Sequence, residues 1–424
     1  MPTIATNATT TRALAIATLV AIISSVSSAQ EAVTRDQAIA AALSRGFRAA
    51  LARNDSVTAA GELRVARAYP NPTFTATYSK DVPQYHAVAE FPIDLAHHAR
   101  GASARAALDA ASARYTFERA AVRFEADTLY TRALDVASHA RLSRRTARDA
   151  DSLRTLAIVR RDAGDASELD VELATVNAGQ ADNAAASDSS AAVAALLEVQ
   201  RVMGRASSVP TVSLADTLAL LDTAATDVPP PTSDTGAATP GTTGPAPVPA
   251  TVAAAEAALR SADRAVSAAR VSAYGTPAIQ VGVDWHDPTP NGERGALPLV
   301  AAAVPVPLFN SGRGGVQVAL AARDRARTEL EIARRESAAA IAQVTRERDL
   351  AFRRVARDRT LLSAADRVAT MSVTAFAEGA VALPSVLDAQ RTARDSRAQY
   401  VDDVAAADNA VTELRLLTTT GARP

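Results

Sequence analysis

The sequence predicts a mainly α protein with a small β portion, built as two tandem helix–strand–strand–helix–helix repeats. Three observations lead to this class. A strand-to-helix junction occurs twice: in Val88–Gly101 and again in Ala296–Gly315, where Pro92, Leu95, Arg100 and Gly101 return at a constant offset as Pro305, Leu308, Arg313 and Gly314. Other markers follow the same plan. Asn71-Pro72 answers to Thr276-Pro277, and Gly164, Val171 and Ala174 answer to Gly379, Val386 and Ala389. Self-similarity on this scale settles architecture before any local reading. Finally, Ala and Arg dominate, aromatics make up only 4%, and Lys80 is the sole lysine. Such a composition favours long, closely packed helices over a globular core of large side chains.

The first 29 residues read as a secretory signal peptide. Arg12 precedes an apolar run from Ala13 to Ile23, and small residues follow up to Ser27-Ser28-Ala29. The run is shorter than the ~20 apolar residues of a spanning helix. With no cysteine in the chain, disulfides, thiolate metal sites and a lipid-bearing N-terminal Cys are excluded. The formal net charge is −1, with bases and acids interleaved, so there is no electrostatic case for binding nucleic acid.

The first repeat is placed at 30–209. A helical pattern covers Thr34 to Ala68, with Ile39, Ala42, Leu43, Phe47, Ala50 and Leu51 at spacings of three and four. Asn71-Pro72 ends it, because the residue before proline is biased away from the helical region. A strand at about 71–80 follows, carried by the period-two alternation Thr73-Phe74-Thr75-Ala76-Thr77-Tyr78. A second strand is expected at about 85–94 after the turn Asp81 to Gln84. Helical sequence then continues from about Ala102 to Asp162 without Pro or Gly, turns at Ala163-Gly164-Asp165, and restarts at Ser167 with Asp170 in a capping arrangement. That helix reaches about Val202.

Residues 210–250 read as a linker, extended or disordered; its stretch Thr226–Ala250 is Pro/Thr/Gly-rich and unable to build a packed core. The second repeat, 251–424, opens with a helix to about Ala273. Strands follow at about 276–286, where Ile279, Val281, Val283 and Trp285 alternate with Gln280, Gly282 and Asp284, and at about 296–308. The next helix, about 316–372, has a near-3.5-residue seam through Leu330, Ala333, Ser337, Ala340, Val344, Ala351, Val355, Leu362, Ala365, Ala369 and Phe376, interrupted by Glu347 and Asp358. A seam of that period packs as a coiled coil. After the break at Gly379, a last helix covers about 385–417.

Two strand pairs make no stable sheet alone, since open edges expose unpaired backbone groups. In a membrane only a closed barrel satisfies every strand. The strands have the length and two-faced pattern of barrel strands, with Phe74, Tyr78, Phe91, Val283 and Trp285 against Thr73, Thr75, Thr77, Gln280 and Asp284. Four strands are too few to close a barrel, so several chains would share one.

These residues carry a resemblance. The sequence is similar to the outer-membrane efflux family, the TolC-like channels, through Tyr69-Pro70-Asn71-Pro72 before the first strand, Val306-Pro307-Leu308-Phe309 with Gly312 at the strand exit, and Phe376-Ala377-Glu378-Gly379 followed by Val386-Leu387-Asp388-Ala389-Gln390. Tyr400 and the closing Leu417-Thr418-Thr419-Thr420-Gly421 fit too, and the likeness spans the chain after residue 29. Two departures are Asp94-Leu95-Ala96 where the second half has Pro307-Leu308-Phe309, and the missing lipid-bearing Cys.

The resemblance implies a homotrimer in which four strands from each chain close a twelve-stranded membrane barrel, continued by a periplasmic helical tunnel. It implies residence in the outer membrane in contact with lipid, and work with a periplasmic adaptor (membrane fusion) protein and an inner-membrane pump, as the passive exit duct of a tripartite efflux or type I secretion system.

The turns near Gly164 and Gly379 would form the periplasmic mouth, with these glycines as the adaptor-contacting tips. Asp162, Asp165 and Glu378 sit there and would make rings of negative charge that gate the duct. Read as ordinary turn and capping residues, they need no such role. Pro92, Leu95, Pro305, Pro307, Leu308 and Gly312 mark the strand-to-helix junctions. No catalytic set and no cofactor motif is found. The five histidines, His86, His97, His98, His139 and His286, are scattered, and His97-His98 lack a convincing ligand partner at helical spacing, so no metal site is expected. Gly312-Arg313-Gly314-Gly315 lacks the Gly-Lys-Ser/Thr ending of a phosphate loop. The rival reading is a soluble periplasmic coiled-coil scaffold or adaptor-like protein.

Overall fold

A computed structural model of the chain describes residues 30–81, 83–219, 248–288, 294–306 and 311–420. The expected signal peptide, most of the expected linker, and the junction residues Pro307 and Leu308 lie outside the described residues. Thirteen elements are described: β1 (Glu31–Val33), α1 (Arg35–Arg45), α2 (Phe47–Ala66), β2 (Thr73–Tyr78), β3 (Tyr85–Pro92), α3 (His97–Asp162), α4 (Glu168–Val202), β4 (Val212–Leu214), α5 (Ala250–Ser272), β5 (Ala278–Pro288), β6 (Arg294–Ala303), α6 (Arg313–Ala377) and α7 (Leu383–Thr418). The chain divides into two compact units, and each takes stretches from both halves of the sequence. One combines the chain up to Gly46 with Glu125–Leu221 and Leu350–Asn409; the other combines Phe47–Phe124, Asp222–Asp349 and the chain from Ala410.

In the first unit, α1 starts in a capping box. The Thr34 side chain accepts from the Gln37 backbone, and the Gln37 side chain reaches back to the Thr34 N–H. Its buried face, Ala38 and Ala41, packs with Val33, Tyr130, Leu134, Val199, Met203 and Val212. The Arg35 guanidinium bridges Asp127 on α3 at 2.8 Å and Asp408 on α7 at 3.5 Å, so one half-buried cation holds two acids that are almost wholly out of solvent. Burial and the neighbouring Asp216 carboxylate raise the Tyr130 phenol far above its ordinary value; it stays protonated, 2.8 Å from the Val33 carbonyl and 2.9 Å from Asp216.

One short sheet in this unit has no counterpart in the sequence reading. β1 and β4 pair in parallel, Glu31 to Val212 through Val33 to Leu214. Thus the first residues of the stretch read as linker fold instead, and Val212 is fully buried. Gln200, itself fully buried, pins them: its Oε1 accepts from the N–H groups of Thr211 (2.6 Å) and Val212 (3.2 Å), and its Nε2 donates to the Val209 carbonyl.

The helix read as continuous over 34–68 is instead broken at Gly46, whose backbone is extended. A Cβ there would lie 2.2 Å from the Ala42 carbonyl oxygen and 3.3 Å from that of Val202, so no larger residue fits the bend. The break shifts the helical phase. Phe47 and Leu51, read as one buried stripe with Ile39 and Ala42, are 72% and 66% exposed, while Ala49 and Ala52 are buried. Among the described residues of α6, the expected seam is buried at Leu330, Ser337, Val344, Ala351, Val355, Ala369 and Phe376 and half-buried at Ala333, Ala340, Leu362 and Ala365.

The second unit holds a four-stranded antiparallel sheet in the order β2-β3-β5-β6. The hairpins β2–β3 and β5–β6 are joined through β3–β5, with Tyr85 opposite Trp285 and Pro92 opposite Ala278. Gly282 makes this central pairing close, because a Cβ there would meet the Ala87 carbonyl oxygen at 2.6 Å.

Candidate functional site

Three features bear on function: the two faces of the sheet, its exits into helix, and the paired helical turns. The sheet register sorts the side chains onto two faces. Directly opposed residues share a face in an antiparallel sheet. Phe74, Ala89, Val281 and Val300 therefore line up, as do Ala76, Ala87, Val283 and Pro298. At one end the row is Tyr78, Tyr85 and Trp285, with the tyrosine ring centroids 5.3 Å apart; towards the other end Phe91 faces Ile279. From Ala296 onward along β6, and on β2, β3 and β5 up to Trp285, this face is apolar or aromatic, and most of its large side chains are open: Phe74 is 72%, Val300 75% and Trp285 56% exposed.

The opposite face carries Thr73, Thr75, Thr77, His86, Glu90, Gln280 and Asp284. His86 bonds to the Asp284 carboxylate, and Gln280 donates to Glu90 at 3.0 Å. On β6 this face changes to Leu297 and Leu299. The face assignments read from alternation alone agree with this register; the two cross-strand polar pairs needed the pairing itself and were missed.

At the exits the two halves use different chemistry. Pro92 ends β3, and the next N–H, of Ile93, donates to the Pro277 carbonyl. Asp94 then starts α3: its Oδ1 accepts from the Ala96 N–H at 3.0 Å and its other oxygen pairs with Arg100 at 2.5 Å. Leu95 projects outward, 51% exposed. Tyr69 stacks on His97 at 4.0 Å between centroids, tying the end of α2 to the start of α3. In the second half the exit rests on glycines. Gly312 has φ +69 and packs so closely that a Cβ would meet that of Ala273 at 2.5 Å; Gly275, φ +73, sits against Pro305, where a Cβ would meet Cγ at 2.6 Å. Both positions thus combine left-handed backbone with no room for a side chain. Gly101, aligned with Gly314 by the repeat, lies inside α3 and has no such constraint.

The helical turns end α3 and α6 in the same way. After α3 the Asp165 N–H reaches the Arg160 carbonyl and the Gly164 N–H that of Arg161; after α6 the Ala380 N–H reaches Ala375 and Gly379 reaches Phe376. With φ of +85 and +79 at Gly164 and Gly379, each is a Schellman motif. α4 restarts on the capping box of Ser167 and Asp170. The turns pack together: Leu153, Ala157, Val171 and Ala174 form one apolar cluster with Phe376, Leu383 and Val386. Arg160 joins them. Its guanidinium lies 4.6 Å from the Phe376 ring centroid and donates to the carbonyls of Phe376 (2.5 Å) and Asp165 (3.1 Å). A cation over an aromatic ring is worth ~0.5–2 kcal/mol depending on desolvation. Arg160 was missed in the sequence, because nothing local marks an arginine that serves another helix's end.

Of the acids placed here, Asp162, Asp165 and Glu378 are all exposed. Asp162 pairs with Arg161 at 2.8 Å, and Arg161 also reaches Glu168 at 3.3 Å; these two acids hold the guanidinium above its ordinary value, Asp162 foremost. Asp165 contributes its backbone. Helix capping falls to Ser167 and Asp170, which leaves the Asp165 and Glu378 carboxylates facing solvent.

No protein-family model matches the chain, and no curated protein matches it by sequence. Solved structures do. A Campylobacter jejuni outer membrane channel, CmeC, superposes with a TM-score of 0.72 over 92% of this chain and 87% of its own at 10% identity. A membrane protein from Pseudomonas aeruginosa gives 0.71 over 91% and 93% at 17% identity. The Vibrio cholerae outer membrane protein VceC gives 0.69 over 92% and 97% at 14% identity. The fold is that of the TolC-like outer-membrane channels. The likeness extends over more than nine-tenths of the chain. At such low identities side-chain function is read from this chain's own residues.

Proposed function

We propose that this chain is the outer-membrane channel of a tripartite efflux or type I secretion system, a passive duct gated at its periplasmic helical end. The observation that carries the reading is the sheet: one face apolar from Ala296 onward along β6 and across β2, β3 and β5, with an aromatic row, the other holding the polar side chains of β2, β3 and β5, and both outer strands, β2 and β6, unpaired at their far edges among the described residues. An exposed apolar face with open edges is an aggregation hazard in water. In lipid it is the outer wall of a barrel with its edges closed.

Closure follows from strand direction. In an antiparallel order of four, β2 and β6 run oppositely, so the β6 edge of one chain meets the β2 edge of the next in the same antiparallel sense. Three chains then give twelve strands with no free edge. Two tandem repeats, 30–209 and 251–424, account for the paired hairpins, with the signal peptide at 1–29 directing export. No described helix is long and apolar enough to cross a membrane; in this reading the strands cross it. The fold likeness to outer-membrane channels supports the same placement.

The paired turns at Gly164 and Gly379 are the adaptor-contacting tips, and Asp162, Asp165 and Glu378 form acidic rings at the mouth. Energy for transport comes from an inner-membrane pump, since the sequence holds no nucleotide-binding motif. The test is reconstitution of the full-length protein. It is expected to fractionate with the outer membrane, to run as a trimer that dissociates on heating, and to give discrete conductance steps in planar bilayers. A mature protein that stays monomeric and soluble without detergent would refute the channel and favour the periplasmic scaffold.

A further inference from the structure

We propose that Asp135, His139 and Asp402 form a binding site for a divalent transition-metal ion of the zinc class, tying α3 to α7. Asp135 and His139 lie four residues apart on α3 and so share one face of the helix. Asp402 comes from α7, and its Oδ1 is 2.8 Å from His139 Nε2; Asp135 Oδ1 is 3.7 Å from the same nitrogen. The three ligand atoms all lie within 4.8 Å of one another. At that spacing a single ion can reach all three with small side-chain adjustments.

A hydrogen-bonded His139–Asp402 pair accounts for only two of the three residues. Asp135 Oδ1 is shut off from solvent and has no hydrogen-bond partner, yet it faces the same imidazole nitrogen. A buried carboxylate oxygen without a donor is costly, and the single Nε2 proton cannot serve both acids. An ion between the three atoms satisfies both oxygens at once. Asp402, 55% exposed on its side chain, provides the open side through which the ion enters.

The donor set selects the ion. One imidazole nitrogen with two carboxylate oxygens suits Zn²⁺, Co²⁺ or Ni²⁺, whereas Ca²⁺ and Mg²⁺ prefer oxygen alone. Three protein ligands leave a fourth position for water, the arrangement of an open tetrahedral site. Binding through Nε2 requires a neutral ring with its proton on Nδ1. The sequence concealed the site, because Asp402 stands far along the chain from the Asp135/His139 pair. This inference does not depend on conduction.

The test uses the full-length protein in detergent after chelator treatment. Titration with Co²⁺ is expected to give saturable visible d–d absorption at one ion per chain, displaced by Zn²⁺. His139→Gln and Asp135→Asn should each weaken binding at least about tenfold, the range that even an outer-sphere partner commands. Asp109→Asn, a surface acid paired only with Arg105 on its own helix, should leave it unchanged. Melting of the metal-free variants by circular dichroism checks folding, and Zn²⁺ should raise the midpoint of the parent but not of His139→Gln. Binding that is absent in the parent, or undiminished in His139→Gln, would overturn the proposal and leave a plain hydrogen-bonded brace.

Discussion

Asp162 and Arg160 sit on the same last turn of α3, yet the structure gives them different work. Arg160 is spent on the neighbouring turn, held by the Phe376 ring and two carbonyls. Asp162 keeps its charge at the surface, shared with Arg161. With capping assigned to Ser167 and Asp170, the exposed acids have no structural duty that requires ionisation. Replacing Asp162 and Asp165 with Asn and Glu378 with Gln together should therefore leave folding intact while changing the mouth. In planar bilayers at low salt, where exposed charges are least screened, half-block by Mg²⁺ should need at least about fivefold more ion, the equivalent of ~1 kcal/mol between charges in water. Unaltered conductance and block would reduce these residues to surface acids of a turn.

Between elements, α6 and α7 meet across a pair of buried carboxyl groups. Asp358 interrupts the apolar seam of α6 and is 7% exposed; Asp403 on α7 is 5% exposed. Burial, then the hydrogen bond and charge of Asp403, raise the Asp358 carboxyl above its ordinary 3.8. On Asp403 burial acts upward too, but hydrogen bonds from Gln399, Asp358 and Arg354 outweigh it and hold that group down. A raised folded-state value means the native chain binds the extra proton. The Asp358 contribution is therefore full below pH 3.8 and is lost as pH rises through its folded value. Once ionised, Asp358 opposes the helix contact, whereas Asp403, held down, favours it in its charged form. Asp358→Asn keeps a donor to Asp403 without the charge, and should raise the melting temperature at neutral pH by ~2 °C or more. It should also remove the part of the acid-side stabilisation owed to this group. A lower midpoint at neutral pH, measured by circular dichroism, would show that the ionised pair is not under strain.

For the molecule as a whole, what the sequence made legible was what local rules govern. Period-two alternation placed Phe74, Tyr78, Phe91, Val283 and Trp285 on one face, and glycine with capping residues placed the turns at Gly164 and Gly379. What it hid depended on partners far along the chain: the β1–β4 pair fixed by Gln200, the bend at Gly46 against Val202, and Asp402 beside His139. The same face that was legible supplies the decisive whole-molecule test, because Trp285 is the chain's sole tryptophan and stands in the aromatic row with Tyr78 and Tyr85. Aromatic rings of this kind settle at the membrane interface, with their apolar bodies towards the acyl chains. In proteoliposomes Trp285 emission should be blue-shifted, quenched by brominated lipid and shielded from iodide, and Trp285→Phe should abolish the signal. The monomer in denaturant should show the reverse pattern. Emission that stays red and open to iodide in the reconstituted trimer would mean that the apolar face meets water, and a barrel with that face outward would have to be abandoned.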